Sequence, residues 1–118
     1  MMRRLVRAVI RKATVTRGEG VTLRIDPLLL RAANILPLEE VEIVQHATGE
    51  RFLTFAEAAE EGSGEVSIGR MRASDVVSIV SWGTMHDGQT LAHRAAMVTV
   101  DGENRVIAIG ELTPSQSQ

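Results

Sequence analysis

Short stretches of alternating apolar and polar residues, each ended by a turn, restrict the fold of this chain most strongly. The segment VTLRID places Val21, Leu23 and Ile25 on one side and polar residues on the other, which is typical of a half-buried strand. Similar stretches recur about every eight to twelve residues. A short helix is expected where Asp26 is a good N-cap and Pro27 a good first residue. The pattern predicts a mainly β fold, a small closed barrel with short helices.

The composition is that of one globular domain. Of the 118 residues, 44% are hydrophobic and only 3% are aromatic, so the core must consist of Val, Ile, Leu, Ala and Met. We expect a single domain over residues 1–112 and a flexible tail over residues 113–118.

Charge and cysteine content exclude several classes of partner and chemistry. The net charge of −2, with a basic cluster confined to the N-terminus, does not indicate a nucleic-acid partner. The chain has no cysteine, which excludes disulfides and thiolate nucleophiles. It has neither an apolar run of transmembrane length nor a signal-peptide pattern, so we expect no membrane partner and a cytoplasmic location.

The histidines give a weak catalytic signal. His46, His86 and His93 show no metal-binding spacing, so no metal site is predicted. His86 and Asp87 lie in GTMHDGQTL, a predicted loop beside Trp82. A His–Asp pair in a pocket can act as a general base. Because adjacent residues seldom point toward each other, a solvated loop is the alternative interpretation.

Four segments occur in a distinctive order and spacing: RKATVT, IDPLLLRAANIL, VEIVQHATGERFLTFAEAAEEGSGEVSI and DVVSIVSWGTM. Over roughly residues 3 to 110 they resemble the pyruvoyl-dependent aspartate 1-decarboxylases, most specifically in TGERFLTFAEAAEEGSG. The resemblance implies a six-stranded double-psi β-barrel and a homotetramer with active sites between neighbouring subunits. It also implies a biosynthetic lyase that converts L-aspartate to β-alanine with a pyruvoyl group, which the family makes from a serine by backbone self-cleavage.

The residues from which the family makes its cofactor are absent. Where the family has a Gly-Ser cleavage pair, counted back from Ile25–Asp26, this chain has Val21 and Thr22. A threonine hydroxyl can attack the preceding carbonyl carbon, but elimination from threonine leaves a 2-oxobutanoyl group. The β-branched valine also restricts a backbone that glycine leaves free. We therefore expect no pyruvoyl-type group at Thr22, and we expect Gly62–Ser63 to be an ordinary turn.

The other substrate-contacting positions of the family are partly retained. The resemblance assigns Arg51 to the substrate's carboxylate, because its planar guanidinium can make two charge-assisted hydrogen bonds. Thr54 is retained near it, whereas Phe55 stands where the family has a tyrosine hydroxyl. Trp82 replaces another aromatic residue of the family and is expected to pack beside the pocket.

The family's lysine in the first strand is also lost. Val9 occupies the matching position. Lys12 lies three residues further along, which places it on the opposite face of a regular strand.

Three functions are compatible with these residues. The first is an unprocessed relative that acts on a small carboxylate or keto compound by acid–base chemistry. The second is a non-catalytic subunit or ligand-binding module of the same fold, and the third is a working aspartate 1-decarboxylase processed at Thr22. The candidate catalytic residues are Thr22, His86 and Asp87, and the candidate substrate-binding residues are Arg51, Thr54, Phe55 and Trp82.

Overall fold

The computed structural model describes residues 1–114, which form one curled sheet of eight strands with one α-helix and one 3₁₀ helix. The strands are β1 Met2–Thr14, β2 Leu23–Ile25, β3 Glu40–Gln45, β4 Arg51–Ala58, β5 Val66–Ser67, β6 Val76–His86, β7 Ala95–Val100 and β8 Val106–Leu112. The α-helix, α1, spans Pro27–Ala33, and the 3₁₀ helix spans Asp87–Ala92. The strand order across the sheet is β5-β2-β4-β3-β6-β1-β7-β8.

Six of these strands form a ring. Strands β1, β6, β3, β4, β2 and β5 are neighbours in that order. Beyond β1, the Thr16 amide donates to the Val66 carbonyl at 2.8 Å and the Ile68 amide to the Arg17 carbonyl at 3.0 Å, which joins the ends of the ring. Strands β7 and β8 form an antiparallel hairpin beside β1. The predicted small, mainly β barrel of the double-psi type is confirmed, with a hairpin added to its six strands.

The core is built from the inward faces of the strands. Val41 and Ile43 of β3 and Val77 and Ile79 of β6 are at most 1% exposed, and they alternate with side chains that reach the outer face. Burying one such side chain contributes about 1.5–3 kcal/mol relative to exposure. The inward faces therefore hold the barrel together, and the outer faces remain for polar groups.

Helix α1 begins where the sequence predicts. An Asp26 carboxylate oxygen accepts from the Leu28 amide at 2.9 Å, and Pro27 is the first helical residue. The same carboxylate accepts from the amides of Gly62 and Gly64 at 3.0 and 2.9 Å. The EEGSG segment is the predicted turn, and Asp26 ties it to the start of the helix.

The segment GTMHDGQTL was predicted to be a loop, and this prediction is wrong. Strand β6 continues to His86, and Asp87–Ala92 form the 3₁₀ helix. Gly83 suggests a break, but β1 is long enough to pair with the extension, as far as Met2 opposite His86.

The described residues include only the first part of the predicted tail, and their helices are short. Of the predicted tail over residues 113–118, residues 115–118 lie outside the described residues. Within residues 1–114, no helix combines the length and the apolar character needed to span a membrane.

Candidate functional site

Arg51 lies at the start of β4 on the outer face, where Glu42 holds it. Its Nε donates to Glu42 Oε2 at 3.3 Å, and its Nη2 donates to Oε1 at 2.7 Å. The indole Nε1 of Trp82 donates to the same Oε1 at 3.3 Å, and the Arg4 guanidinium stacks 4.5 Å from the centre of the Trp82 ring. The Arg51 side chain is 56% exposed and that of Glu42 only 16%. Glu42 therefore fixes one edge of the guanidinium and leaves the Nη1 edge to solvent.

This contact shifts the protonation equilibria of both groups. The hydrogen bond from Arg51 is the main cause that holds the pKa of Glu42 below its usual range. The same hydrogen bond raises the pKa of Arg51 above its usual value. The pair is therefore fully charged at neutral pH. Because exposed ion pairs add little to stability, its main effect is to orient Arg51.

Thr22 lies at a polar cavity of about 490 Å³ on the outer side of β2. Its hydroxyl donates to Glu57 Oε2 at 3.1 Å. Arg17 and Arg24 also line the cavity, and Arg24 Nε lies 3.2 Å from a carboxylate oxygen of Glu65. The cavity combines two hydroxyl groups, two guanidinium groups and the carboxylates of Glu19, Glu57 and Glu65, which suits a small polar ligand.

The peptide bond before Thr22 is held by a second threonine. The Thr54 hydroxyl donates to the Val21 carbonyl oxygen at 3.2 Å. Gly20 has a φ of 101°, so the conformation that requires a glycine falls one residue before Val21. The Val21 side chain is 93% exposed. The polarised carbonyl and the Thr22 hydroxyl thus belong to the same exposed turn.

The predicted substrate-binding residues of β4 lie on two faces. Arg51 and Phe55 are exposed on the outer face, whereas the half-buried Thr54 shares the inward face with the buried Ala56. Thr22 lies level with Phe55, because the next residue along β2 pairs with Ala56. Thr22 and Arg51 are therefore about 13 Å apart along β4. Trp82 lies near Arg51 through Glu42, as described above.

His86 and Asp87 lie far from Arg51. Arg51 is level with Ser78 of β6, eight residues before His86, which corresponds to about 26 Å along the strand. An Asp87 carboxylate oxygen accepts from Arg3 Nε at 2.5 Å, so Asp87 is paired with a residue of β1. A role for His86 and Asp87 at the Arg51 site stays a prediction, and it requires a neighbouring subunit.

The three histidines lie in separate places. His46 Nε2 lies 2.7 Å from the Ser78 hydroxyl, and His93 Nε2 lies 2.5 Å from the Val6 carbonyl. No group of three or more His, Asp or Glu residues within the described part of the chain is arranged to hold a metal ion. The expectation that the protein needs no metal stays a prediction.

Lys12 does not occupy the face that regular alternation predicts. Ile10 pairs with Ile79 and Ala13 with Val77, so β1 contains a bulge between them. Ile10 and Ala13 are both fully buried, whereas Lys12 is exposed. The extra residue restores Lys12 to the outer side of the barrel, and the prediction of the opposite face is wrong.

Two acidic residues of the site were missed. Glu42 and Glu57 appear in the sequence as ordinary outward positions of strands. Glu57 lies two residues after Phe55, so alternation alone places it on the outer face. Its contact with Thr22 depends on the parallel pairing of β2 with β4, which has no local sequence signal.

The comparisons with known proteins point to one family. The family model for aspartate decarboxylase matches residues 1–107. The chain is 36% identical to an aspartate 1-decarboxylase of Chromobacterium violaceum and 35% identical to aspartate 1-decarboxylase 2 of Polaromonas sp., each over 98% of both chains. It is 33% identical to an aspartate 1-decarboxylase of Pelotomaculum thermopropionicum over 89% of this chain and 86% of that one. The chain belongs to the aspartate decarboxylase family.

Proposed function

We propose that this member of the family is a cytoplasmic enzyme that keeps the Val21–Thr22 bond intact. It acts on a small carboxylate or keto compound in a biosynthetic pathway and uses acid–base chemistry. The observation that carries this proposal is the hydrogen bond from the Thr22 hydroxyl to Glu57, 3.1 Å long, at a cavity that Arg17 and Arg24 also line.

The chemistry of the pair follows from its hydrogen bond. An ionised carboxylate can only accept, so Glu57 faces the hydroxyl hydrogen of Thr22. It can accept a proton from a bound compound directly or through Thr22, and return it later in the reaction. Arg17 and Arg24 lie 3.8 and 3.2 Å from carboxylate oxygens of Glu19 and Glu65. They can exchange these weak contacts for the substrate's carboxylate, because guanidinium groups bind carboxylates in two-point contacts. In this proposal Thr22 keeps its hydroxyl, and no pyruvoyl-type group forms.

Arg51 contributes to this function through oligomerisation. Within one chain it lies about 13 Å along β4 from Thr22, beyond the reach of one small molecule. We propose a homotetramer in which Arg51 of one subunit faces the Thr22 cavity of its neighbour. There the free Nη1 edge of Arg51 would bind the substrate's carboxylate, with Phe55 and Trp82 beside it.

A second candidate function is favoured by the hydrogen bond from Thr54 to the Val21 carbonyl. That bond polarises the carbonyl whose carbon a Thr22 hydroxyl would attack in self-cleavage, and Glu57 could accept the hydroxyl proton. The processed chain would then be a working decarboxylase for L-aspartate. Val21 and Thr22 do not match the family's Gly-Ser pair, so the group formed would be 2-oxobutanoyl. Such a group supplies an electron sink for loss of carbon dioxide.

Intact mass under denaturing conditions distinguishes the two proposals. We expect a single species at 12.8 kDa from the purified protein. Two fragments that separate at Thr22, with a keto-acyl group on the larger one, would reject the first proposal and support the second. Release of β-alanine from L-aspartate by the cleaved protein would then show that it is a working decarboxylase.

The acid–base role is tested on the intact protein with a panel of small carboxylic and keto acids. Turnover should fall at least tenfold in Thr22→Val and Glu57→Gln, which nearly preserve side-chain size. Glu103→Gln, the same substitution at an exposed position that does not line the cavity, is the matched control. Turnover that survives both cavity substitutions would contradict the proposed role. Binding of an acid with no chemical change would favour a non-catalytic module.

A further inference from the structure

A serine and a histidine outside the Thr22 cavity contact each other on the outer face of the barrel. His46 Nε2 lies 2.7 Å from the Ser78 hydroxyl. Ser78 pairs with Val44 of β3, and His46 follows Val44 by two residues, so alternation places both side chains on the same face. Neither residue lines the cavity of Thr22. The pair is therefore a separate candidate site, which the proposed function does not use.

The turn that carries His46 is held against β6. The His46 amide donates to the first carbonyl of β6 at 3.0 Å, which extends the pairing of β3 with β6 by one residue. The side chain of the preceding Gln45 donates to Asp75 Oδ2 at 3.0 Å and accepts from the Thr48 hydroxyl at 2.6 Å. The imidazole therefore reaches Ser78 from a backbone that several hydrogen bonds fix in place.

The contact between the two side chains suits transfer of a proton from the serine. The hydroxyl donates to Nε2 in the tautomer whose ring proton is on Nδ1. His46 is exposed, so water can accept from Nδ1 in that tautomer. Nε2 can then take the hydroxyl proton as the serine oxygen attacks an electrophilic carbon, which is how a histidine activates a serine nucleophile.

Lys12 supplies positive charge beside this serine. The bulge of β1 places both Arg11 and Lys12 opposite Ser78. Arg11 reaches toward β7, where its Nη1 lies 3.7 Å from the Met97 sulfur. Lys12 is exposed, and among the ion pairs of residues 1–114 none includes it. Its ammonium can stabilise the negative charge that develops on a carbonyl oxygen when Ser78 attacks the adjoining carbon.

We propose that Ser78 accepts acyl groups from esters and thioesters of small acids, with His46 as the base. The Ser78 oxygen forms a bond to the acyl carbon while its proton passes to His46 Nε2. The bond from the acyl carbon to the leaving oxygen or sulfur then breaks, and the leaving group takes that proton. The products are an acyl-serine and an alcohol or thiol. The half-buried position of Ser78 favours small acyl groups.

Reaction with para-nitrophenyl acetate, which releases a coloured phenolate when its acetyl group is transferred, tests this inference. We expect a burst of about one phenolate per chain, and a mass increase of one acetyl group that peptide mapping places on Ser78. Ser78→Ala should abolish this adduct. His46→Gln should slow its formation about a hundredfold, since general-base catalysis contributes at least that much. Lys12→Met should slow it less, and Lys12→Arg should recover most of the rate.

Ser63→Ala, the same substitution in the turn of the EEGSG segment, is the matched control and should react like the wild type. Acetylation of Lys12 or of the terminal amine with none on Ser78 would overturn the inference. The absence of any adduct, or a His46→Gln variant that reacts as fast as the wild type, would overturn it equally. Both side chains lie on the outer face, so we expect wild-type urea midpoints in the variants, which separates a lost reaction from lost folding.

Discussion

Two glycine-containing loops of this protein are held in opposite ways. The loop of Gly62 and Gly64 is bound by buried polar side chains: Asp26 accepts from both amides, and Asn104 Nδ2 donates to the Gly64 carbonyl at 2.8 Å. The loop of residues 17–22 is held mainly by close backbone contacts. A Cβ on Gly18 would lie 2.0 Å from the Met71 carbonyl oxygen, and one on Gly69 would lie 2.3 Å from that of Gly20.

Function can change in this fold where a loop is not held by buried side chains. The Asp26 and Asn104 side chains are at most 3% exposed, so a change there leaves buried donors without partners. The loop of residues 17–22 lines cavities, and its side chains face solvent. Its side chains can therefore vary without loss of the barrel. This is the loop in which the chain departs from the Gly-Ser pair.

Asp26→Ala should have the largest effect on stability. It leaves the amides of Leu28, Gly62 and Gly64 without their acceptor and removes the cap of α1. We expect a loss of about 3–5 kcal/mol in the free energy of unfolding, measured in urea. Asp87→Ala, at an exposed ion pair, is the control. A loss under 1 kcal/mol would remove the distinction between the two loops.

The charge of Asp26 should make stability depend on pH. Burial raises its pKa, but hydrogen bonds from the Leu28, Gly64 and Gly62 amides outweigh burial and lower the pKa below the usual value. The ionised form therefore stabilises the fold above the unfolded pKa, about 3.9, and this stabilisation is lost as the pH falls through the folded pKa. The stability gap between the wild type and Asp26→Asn should be constant above about pH 5 and shrink below about pH 4. An unchanged gap down to pH 2 would contradict this account.

Asn104→Asp should have the next largest effect. The Asn104 amide donates to the carbonyls of Thr14 and Gly64, and its oxygen accepts from the Thr14 amide. A carboxylate cannot donate, so it would face two carbonyl oxygens in a buried site. We expect a loss of about 2–4 kcal/mol by chemical denaturation at pH 7. Asn34→Asp, at the end of α1, is the comparison for the same substitution at an exposed position.

Gly69→Ala should move the loop of residues 17–22 without unfolding the barrel. The added Cβ meets the Gly20 carbonyl, and the backbone must shift. We expect a cost of about 1–3 kcal/mol and altered amide NMR shifts in residues 17–22. Gly102→Ala, where a Cβ meets nothing within 4 Å and φ is not positive either, separates this contact from the general effect of replacing a glycine. Shift changes spread over the whole barrel would argue against a separable loop.

Thr22→Val and Glu57→Gln should have the smallest effect on stability. Both side chains border a solvent-accessible cavity, and their mutual hydrogen bond is exposed. We expect changes within about 0.5 kcal/mol by thermal or urea unfolding. A loss above 2 kcal/mol in either variant would mean that the pair is structural, which would weaken the proposed function directly.

Much of the fold is predictable because its signals are local. The alternation of VTLRID and the Asp26-Pro27 cap depend on neighbouring residues. The cap agrees with the structure, as does the burial of Leu23 and Ile25 around the exposed Arg24. Val21 does not, because it lies before β2 and is 93% exposed. The extension of β6 to His86 was missed, because Gly83 looks like a break and only pairing with distant β1 overrides it.

The candidate site is less predictable, because its contacts join distant strands. Glu57 meets Thr22 through parallel pairing of β2 with β4, and Glu42 meets Arg51 across β3 and β4. Lys12 was placed on the wrong face because one inserted residue reverses the alternation of β1. The residue types therefore indicate which chemistry is possible. The hydrogen-bond partner of each group can be identified only from the three-dimensional structure.

The pairing of β1 determines which methods can detect cleavage of the chain at Val21–Thr22. Strand β1 is bonded to β6 along nearly its whole length and to β7 over Ala8–Arg11, and Thr16 and Arg17 bond to the β5 region. A peptide of residues 1–21, once severed, would remain in place as a wall of the barrel. Gel filtration and native electrophoresis would then report one unchanged particle. Severed and continuous chains would differ only after the strands are separated.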